Sequence, residues 1–324
     1  MTAKLMSVSE LIMKQLIILF IALLALPKSA MAQVEVAEYY GNRKAAVSYT
    51  FDDGMEEHYT LLFPELKKRG IKATFAINGA TIVSGRNRNN KATWAQLREM
   101  AADGQEMSNH AWKHRKLTRL SDEDMRMEVQ RNDTLIYDSV GVFPRTFIYP
   151  YNSKSDKVVE FCSRDRVGTR TRQVAVGSRQ NSRWLKGWVD GLIEKGEWGI
   201  GMTHGITNGY DSIGTDPSRF WHHLDYACSQ QDQLWIATFH DVSAYKAERE
   251  NIQLTVKEKK RKITVKPHLT LDRSLFHHPL TLIVNTDRSV RVKQDGKPID
   301  ANHKDGKAIF NFNPHGGKIT IRLL

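Results

Sequence analysis

The sequence predicts an α/β chain with a parallel sheet or barrel, followed by a small β-sandwich. Two observations carry this. Between residues 40 and 250, seven short apolar runs alternate with amphipathic helical runs, the signature of repeated βα units. After Glu250 the composition shifts to short strands separated by Asp295-Gly296, Asp305-Gly306 and Gly316-Gly317 turns.

In chain order, residues 1–32 hold the apolar run Leu16–Leu26 behind Lys14, and Ala30-Met31-Ala32 fits a small-x-small cleavage site. This predicts a secretory signal peptide, too short to span a bilayer stably, with Met13 an alternative start and an uncleaved anchor as the rival. The expected chain is exported to the periplasm or beyond, with no stable membrane insertion. Removing residues 1–32 takes away three Lys and one Glu, so the net charge of +12 becomes +10 (12 − 3 + 1). Such a surface suits anionic polymers or headgroups, or is plain solvated charge. No motif suggests nucleic acid, and nothing indicates an oligomeric state.

The catalytic unit is expected over residues 33–250. Strands are predicted near 45–51, 72–77, 105–109, 146–149, 166–169, 198–203 and 233–238. Helices are predicted near 56–69, 93–103, 121–139, 153–163, 181–195, 217–230 and 240–250. Gly70 is placed as a C-cap and Ser121-Asp-Glu-Asp124 as an acidic N-terminus.

The first strand sets the chemistry. Val47, Tyr49 and Phe51 alternate with Ser48 and Thr50, and the run ends on Asp52-Asp53-Gly54. Two adjacent carboxylates in a cleft require a cation, unless an Asp merely caps the helix beginning at Met55. His110 and His114 stand at i, i+4, which aims both imidazoles one way. One carboxylate with two imidazoles leaves coordination positions open, the pattern of a catalytic metal site.

Thr50-Phe51-Asp52-Asp53-Gly54, His110-x-x-x-His114, Tyr149-Pro150-Tyr151 and Met202-Thr203-His204 follow one another in an order that resembles the polysaccharide deacetylase (NodB-homology) family. The likeness runs over roughly residues 40 to 250. It sharpens the fold to a distorted (β/α) barrel of about seven strands. It implies that Asp53, His110 and His114 hold a divalent metal, most often zinc. It implies further that Asp52 is a general base, His204 a general acid, and the Tyr151 backbone N–H an oxyanion donor. The implied activity removes acetyl groups from an N-acetylglucosamine-containing polysaccharide. An O-acetyl esterase acting on a glycan such as xylan, or a non-catalytic glycan binder, are the alternatives. For His204 a core position at a strand end is the competing explanation, although Gly201 and Gly205 suggest room for a ligand.

The sequence departs from the family pattern in three places. Ala111 replaces a Ser or Thr. Ile148 stands where the family carries an Arg that pairs with the base; with Arg145 three residues away, an unpartnered base of raised pKa is expected. The Asp that supports the catalytic His in relatives is not recognisable, and Asp165 and Asp190 are candidates. The arginines from Arg164 to Arg183 read as solvated loop charge, with substrate contact as the alternative. Trp184, Trp188 and Trp198 suit core packing or sugar stacking. Cys162 and Cys228 read as buried free thiols, a disulfide being the alternative. Residues 251–324 are expected as a sandwich-like domain that buttresses the barrel or binds carbohydrate.

Overall fold

The structure, a computed structural model, describes residues 34–83 and 90–324. The segment expected as a signal peptide, residues 1–32, lies outside the described residues. The strands are β1 (Val34–Val36), β2 (Ala45–Asp52), β3 (Thr74–Ile77), β4 (Glu106–Asn109), β5 (Thr146–Ile148), β6 (Gly168–Arg170), β7 (Val174–Ala175), β8 (Trp198–Thr203) and β9 (Leu234–Ile236). Then come β10 (Gln253–Lys259), β11 (Lys262–His268), β12 (Leu280–Asn285), β13 (Val290–Gln294), β14 (Lys297–Ile299), β15 (Asn302–Lys304), β16 (Lys307–Phe312) and β17 (Ile319–Leu323).

The first large unit is an all-parallel sheet in the order β6-β5-β4-β3-β2-β8-β7, a curled (β/α) half-barrel. An eighth strand, β9, pairs with Ala45–Val47 of β2. Because β8 occupies the other edge of β2 along Ala46–Phe51, β9 and β3 share one edge end to end. All seven strands expected from the sequence are present; the two-residue β7 is too short to leave a periodic signal. The seven expected helical segments are present as well, among them Trp94–Ala102, Asp122–Val140, Ser182–Lys195 and Phe239–Asn251.

Every residue of β2 is buried, including Ser48 and Thr50, so its alternation separates two covered faces rather than core from water. The polar side chains are satisfied: Ser48 Oγ donates to the Thr238 carbonyl at 3.2 Å and Thr50 Oγ1 to the Gly201 carbonyl at 2.8 Å. Phe51 stacks on Phe75 at 5.5 Å between ring centroids, which locks β2 to β3. The carboxyl ends of β2, β4, β5, β6 and β8 deliver Asp52, Asn109, Ile148, Arg170 and Thr203 to one rim of the sheet.

The second unit is a sandwich of two antiparallel sheets, β1-β12-β16-β15 and β10-β11-β17-β13-β14. Two-residue turns at Asp295-Gly296 and Asp305-Gly306 have both residues at positive φ, the twist-matched form for a hairpin. A boundary at residue 33 is displaced here, because Val34–Val36 pairs with Val284–Leu282 and belongs to the sandwich. The boundary near 250 is also bridged: Ala46, Trp235, Val242 and Tyr245 of the first unit share one apolar core with Ile263, Leu282, Phe310 and Ile321 of the second. Cys162 is buried, Cys228 is partly buried, and both are free thiols.

Candidate metal and acid-base site

Asp53, His110 and His114 converge at the rim, with their ligand atoms within 4.8 Å of one another. Both imidazole Nε2 atoms lie 3.6 Å from Asp53 Oδ1 and 3.1 Å from each other. His110 Nδ1 donates to the Ile148 carbonyl at 2.8 Å, which leaves its Nε2 lone pair facing Asp53. Burial holds the pKa of His110 below its usual value. Burial, with the neighbouring His110, pushes His114 down to about 4. Both rings are therefore neutral near pH 7, the form a metal needs. Asn78 Nδ2 donates to Asp53 Oδ1 at 3.0 Å and fixes the carboxylate. This donor set, two neutral imidazoles and an oriented carboxylate, fits a divalent ion of the zinc type.

The ligand loops are held in costly backbone conformations. Asp53, Ala111, His114 and Tyr151 all have positive φ, a concentration of strain that the packing around the rim sustains. Asn109 supports the His loop: its Oδ1 accepts from the Ala111 N–H at 2.8 Å, and its Nδ2 donates to Asp133 at 2.6 Å. Asp133 is in turn bridged by Arg166 at 2.6 Å. This network explains why a hydroxyl at position 111 is dispensable, since the turn is fixed through the backbone.

Asp52 carries the main correction to the sequence analysis. Arg145 does not reach it, and donates instead to the Asp165 carbonyl. The cation comes from the end of β6: Arg170 Nη1 meets Asp52 Oδ1 at 2.8 Å and Nη2 meets Oδ2 at 2.5 Å, a bidentate fork. Arg170 is only 2 % exposed, so it is not solvated loop charge. Burial alone would raise the Asp52 pKa, but the guanidinium's charge and hydrogen bonds outweigh it, and the carboxyl is held down at about 2. The direction is opposite to that expected from Ile148. The sequence signal was available in Thr169-Arg170-Thr171-Arg172, but it stands one strand later than the family pattern directs attention.

His204 follows β8 at the same rim. Its Nδ1 is buried without a hydrogen-bond partner, so among the described residues no carboxylate supports it from behind. Asp190 pairs with Lys186 at 2.8 Å on the helix Ser182–Lys195, and Asp165 lies in the loop before β6, taking Arg145 on its carbonyl. The loop of His204 is held from its backbone instead. Met55 N–H donates to His58 Nδ1 at 3.2 Å, so His58 carries its proton on Nε2 and donates it to the His204 carbonyl at 2.5 Å. Burial drops the His58 pKa to about 4, which keeps this tautomer neutral. The Glu57 carboxylate accepts from the N–H groups of Ile206 (2.9 Å) and Thr207 (2.8 Å), and from the Thr207 hydroxyl and Asn208 Nδ2. Glu57 and His58 thus tie the His204 loop to the segment just beyond Asp52-Asp53.

The glycines around His204 make room for protein rather than ligand. A Cβ on Gly205 would lie 1.8 Å from the Asn208 carbonyl oxygen, and one on Gly201 would press on Trp188, Val176 and Tyr49. Tyr151 is 62 % exposed and lays its ring against His114, 4.5 Å between centroids. The tryptophans are largely committed to packing. Trp198 donates to Ser48 Oγ, and Trp188 stacks on His223, with the half-exposed Trp184 outside it.

The peptidoglycan-N-acetylglucosamine deacetylase PgdA of Listeria monocytogenes is 29% identical over 127 residues, covering 39% of this chain and 25% of that protein. A gellan lyase of a Bacillus species is 25% identical over 334 residues, covering 89% of this chain and 13% of that protein. The chain therefore spans a quarter or less of these curated relatives. The solved structure of peptidoglycan deacetylase PdaC from Bacillus subtilis is 20% identical and aligns with 65% of this chain and 96% of that one, at a TM-score of 0.49. Residues 40–165, which carry Asp52, Asp53, His110, His114 and Tyr151, match the polysaccharide deacetylase family model.

Proposed function

We propose that the chain is a metal-dependent hydrolase that removes acetyl groups from an N-acetylglucosamine-containing polysaccharide outside the cytoplasm. One observation carries this most: an ionised, Arg-oriented carboxylate, Asp52, stands beside a three-ligand Asp-His-His cluster. Asp53, His110 and His114 would hold the divalent ion, with zinc favoured by the donor set. Bound there, the ion would polarise the acetyl carbonyl and lower the pKa of water. Asp52, held ionised by Arg170, takes a proton from the attacking water. The fork trades basic strength for a fixed orientation and a guaranteed charge state. His204 gives a proton to the departing nitrogen, and the Tyr151 N–H faces the developing oxyanion.

Amide cleavage is favoured over ester cleavage because an amine leaving group needs a proton donor, and His204 is tied in place by His58 and, through its loop, by Glu57. The similarity to a protein named as a peptidoglycan-N-acetylglucosamine deacetylase supports the same polymer class, and the apolar N-terminal segment supports export.

Acetate release is measured from N-acetylated chitooligosaccharide, peptidoglycan and O-acetylated xylan, with and without chelator. Release from an N-acetylated substrate, abolished by chelator, is expected. Asp52→Asn should keep its metal and lose about a hundredfold of rate, whereas His110→Ala should lose the metal. Turnover of xylan alone, or equal metal content in wild type and His110→Ala, overturns the assignment.

A further inference from the structure

We infer that the outer face of the sheet β10-β11-β17-β13-β14 is a docking surface for an acidic polysaccharide that carries carboxylates on its repeating units. The register builds the surface. Lys259 pairs with Lys262, Lys262 with Arg322, and Arg322 with Arg291, so four cations stand side by side across four strands. Lys257 and Lys293 stand in the next row, where the hydroxyls of Thr264 and Thr320 lie between them. All six cations are exposed. The opposite face of the same strands carries buried Ile263, Val265, Val292, Ile319 and Ile321. No carboxylate stands on the outer face within the five strands.

Like charges directly opposite across a sheet destabilise it. A one-sided sheet keeps itself soluble with mixed charges, so four cations in one row is a cost with no folding return. Neighbouring rows are spaced by ~4.8 Å between strands and ~6.8 Å along them, a lattice on the scale of consecutive sugar units. The chemistry selects the occupant. Single-stranded nucleic acid is bound by stacking aromatics, and this face carries no Phe, Tyr or Trp. A lipid surface takes apolar side chains into its interior, and this face offers threonines and lysine stems instead. A cation row beside paired hydroxyls flanked by lysines matches a polymer that presents carboxylates and sugar hydroxyls together. The proposal gives the sandwich a task of its own, independent of the acetyl chemistry at the barrel rim.

The test uses the full chain on immobilised polygalacturonate, with polyphosphate, phosphatidylglycerol vesicles and a neutral cellulose ether as parallel probes. Wild type should be retained by polygalacturonate, with affinity falling log-linearly with salt. The triple variant Lys262→Gln, Arg322→Gln, Arg291→Gln should bind at least about tenfold more weakly. Its melting temperature should be equal or higher, because the like-charge row is relieved, and its turnover of a small neutral acetylated substrate should not change. No retention on polygalacturonate overturns the proposal, as does unchanged affinity in the folded triple variant. Equal or tighter binding to polyphosphate or to vesicles also overturns it.

Discussion

Replacing Arg170 by Leu tests the correction that the structure makes to the sequence. The change leaves Asp52 buried, with no cation and without the fork that holds both of its oxygens. Removing one partner of a buried ion pair costs about 3–5 kcal/mol, because the remaining charge is uncompensated. For a chain of this size 1 kcal/mol corresponds to about 2–4 °C, so the melting temperature should fall by about 6–20 °C. The sign with pH follows from the depressed carboxyl. The contribution of the pair is full above the ordinary Asp value of 3.8 and is lost as pH falls toward about 2. At pH 7 the destabilisation of Arg170→Leu is therefore seen in full. Acetate release should drop by about a hundredfold or more, since a base without orientation loses both geometry and charge control. Arg170→Lys keeps a charge but not the fork, and should recover stability more than rate. The double variant Arg170→Leu, Asp52→Leu removes both charges and should regain much of the melting temperature while staying inactive. The assays are scanning calorimetry and acetate release on the same samples. A single Arg170→Leu variant within 2 °C of wild type at undiminished rate refutes the argument, where 2 °C is the lower bound for about 1 kcal/mol.

Three further outcomes are expected. Glu57→Ala should lower kcat by about tenfold with little change in KM and unaltered metal content, because it frees the His204 loop and touches neither ligand nor substrate; equal loss of metal would show a general collapse of the rim. His223 is buried against Tyr49 (2.8 Å), and burial, with the nearby Arg219, holds its pKa down at about 4. The unfolded chain then binds a proton that the folded chain refuses between pH 6.5 and 4, so stability should fall as pH drops through that window, by about 3 kcal/mol from this group; His223→Gln should flatten the melting-temperature profile there, and an unchanged profile would remove His223 as a cause. Ending the chain at Glu250 strips the partner strand from Val34–Val36 and bares Trp235, Val242 and Tyr245, so the truncated protein should be insoluble or strongly destabilised; a soluble, active 33–250 fragment would show that the shared core is dispensable.

The fold was legible where period and punctuation agree. The helix Ser182–Lys195 is bracketed by Asn181, whose side chain caps Trp184 N–H, and by Gly196 at φ 69°, and its bounds were read to within a residue. β8 was read to the residue because its six-residue run is bounded by a helix-ending glycine and by His204-Gly205. Pairing between distant segments was not legible. Val34–Val36 is three residues long, and nothing local says that it joins β12 nearly 250 residues later. The clustering of Asp53, His110 and His114 was readable because each sits in a short motif: Asp53 follows a strand, and His110 and His114 are four apart. What surrounds the donors was not, since Arg170, Glu57 and His58 act through contacts whose sequence separations are set by the sheet order.

The displaced guanidinium shows why such contacts escape a motif. The buried Asp52 carboxylate requires a cation near the carboxyl ends of the strands, and any strand whose end faces β2 across the rim can supply it. Ile148 ends β5 and spends its carbonyl on His110 Nδ1, so that position contributes to the metal side of the site through backbone alone. Arg170 is its direct partner on β6, and its long side chain reaches from there to Asp52. The parallel register sets residues 148 and 170 side by side on neighbouring strands though they lie 22 apart in sequence. Transplanting the cation therefore has a defined expectation: Ile148→Arg with Arg170→Ile should restore rate and stability over Arg170→Ile alone, measured as acetate release and melting temperature. Failure of the transplant would mean that Thr50, which also accepts from Arg170 at 2.6 Å, fixes the direction of approach as firmly as the base does.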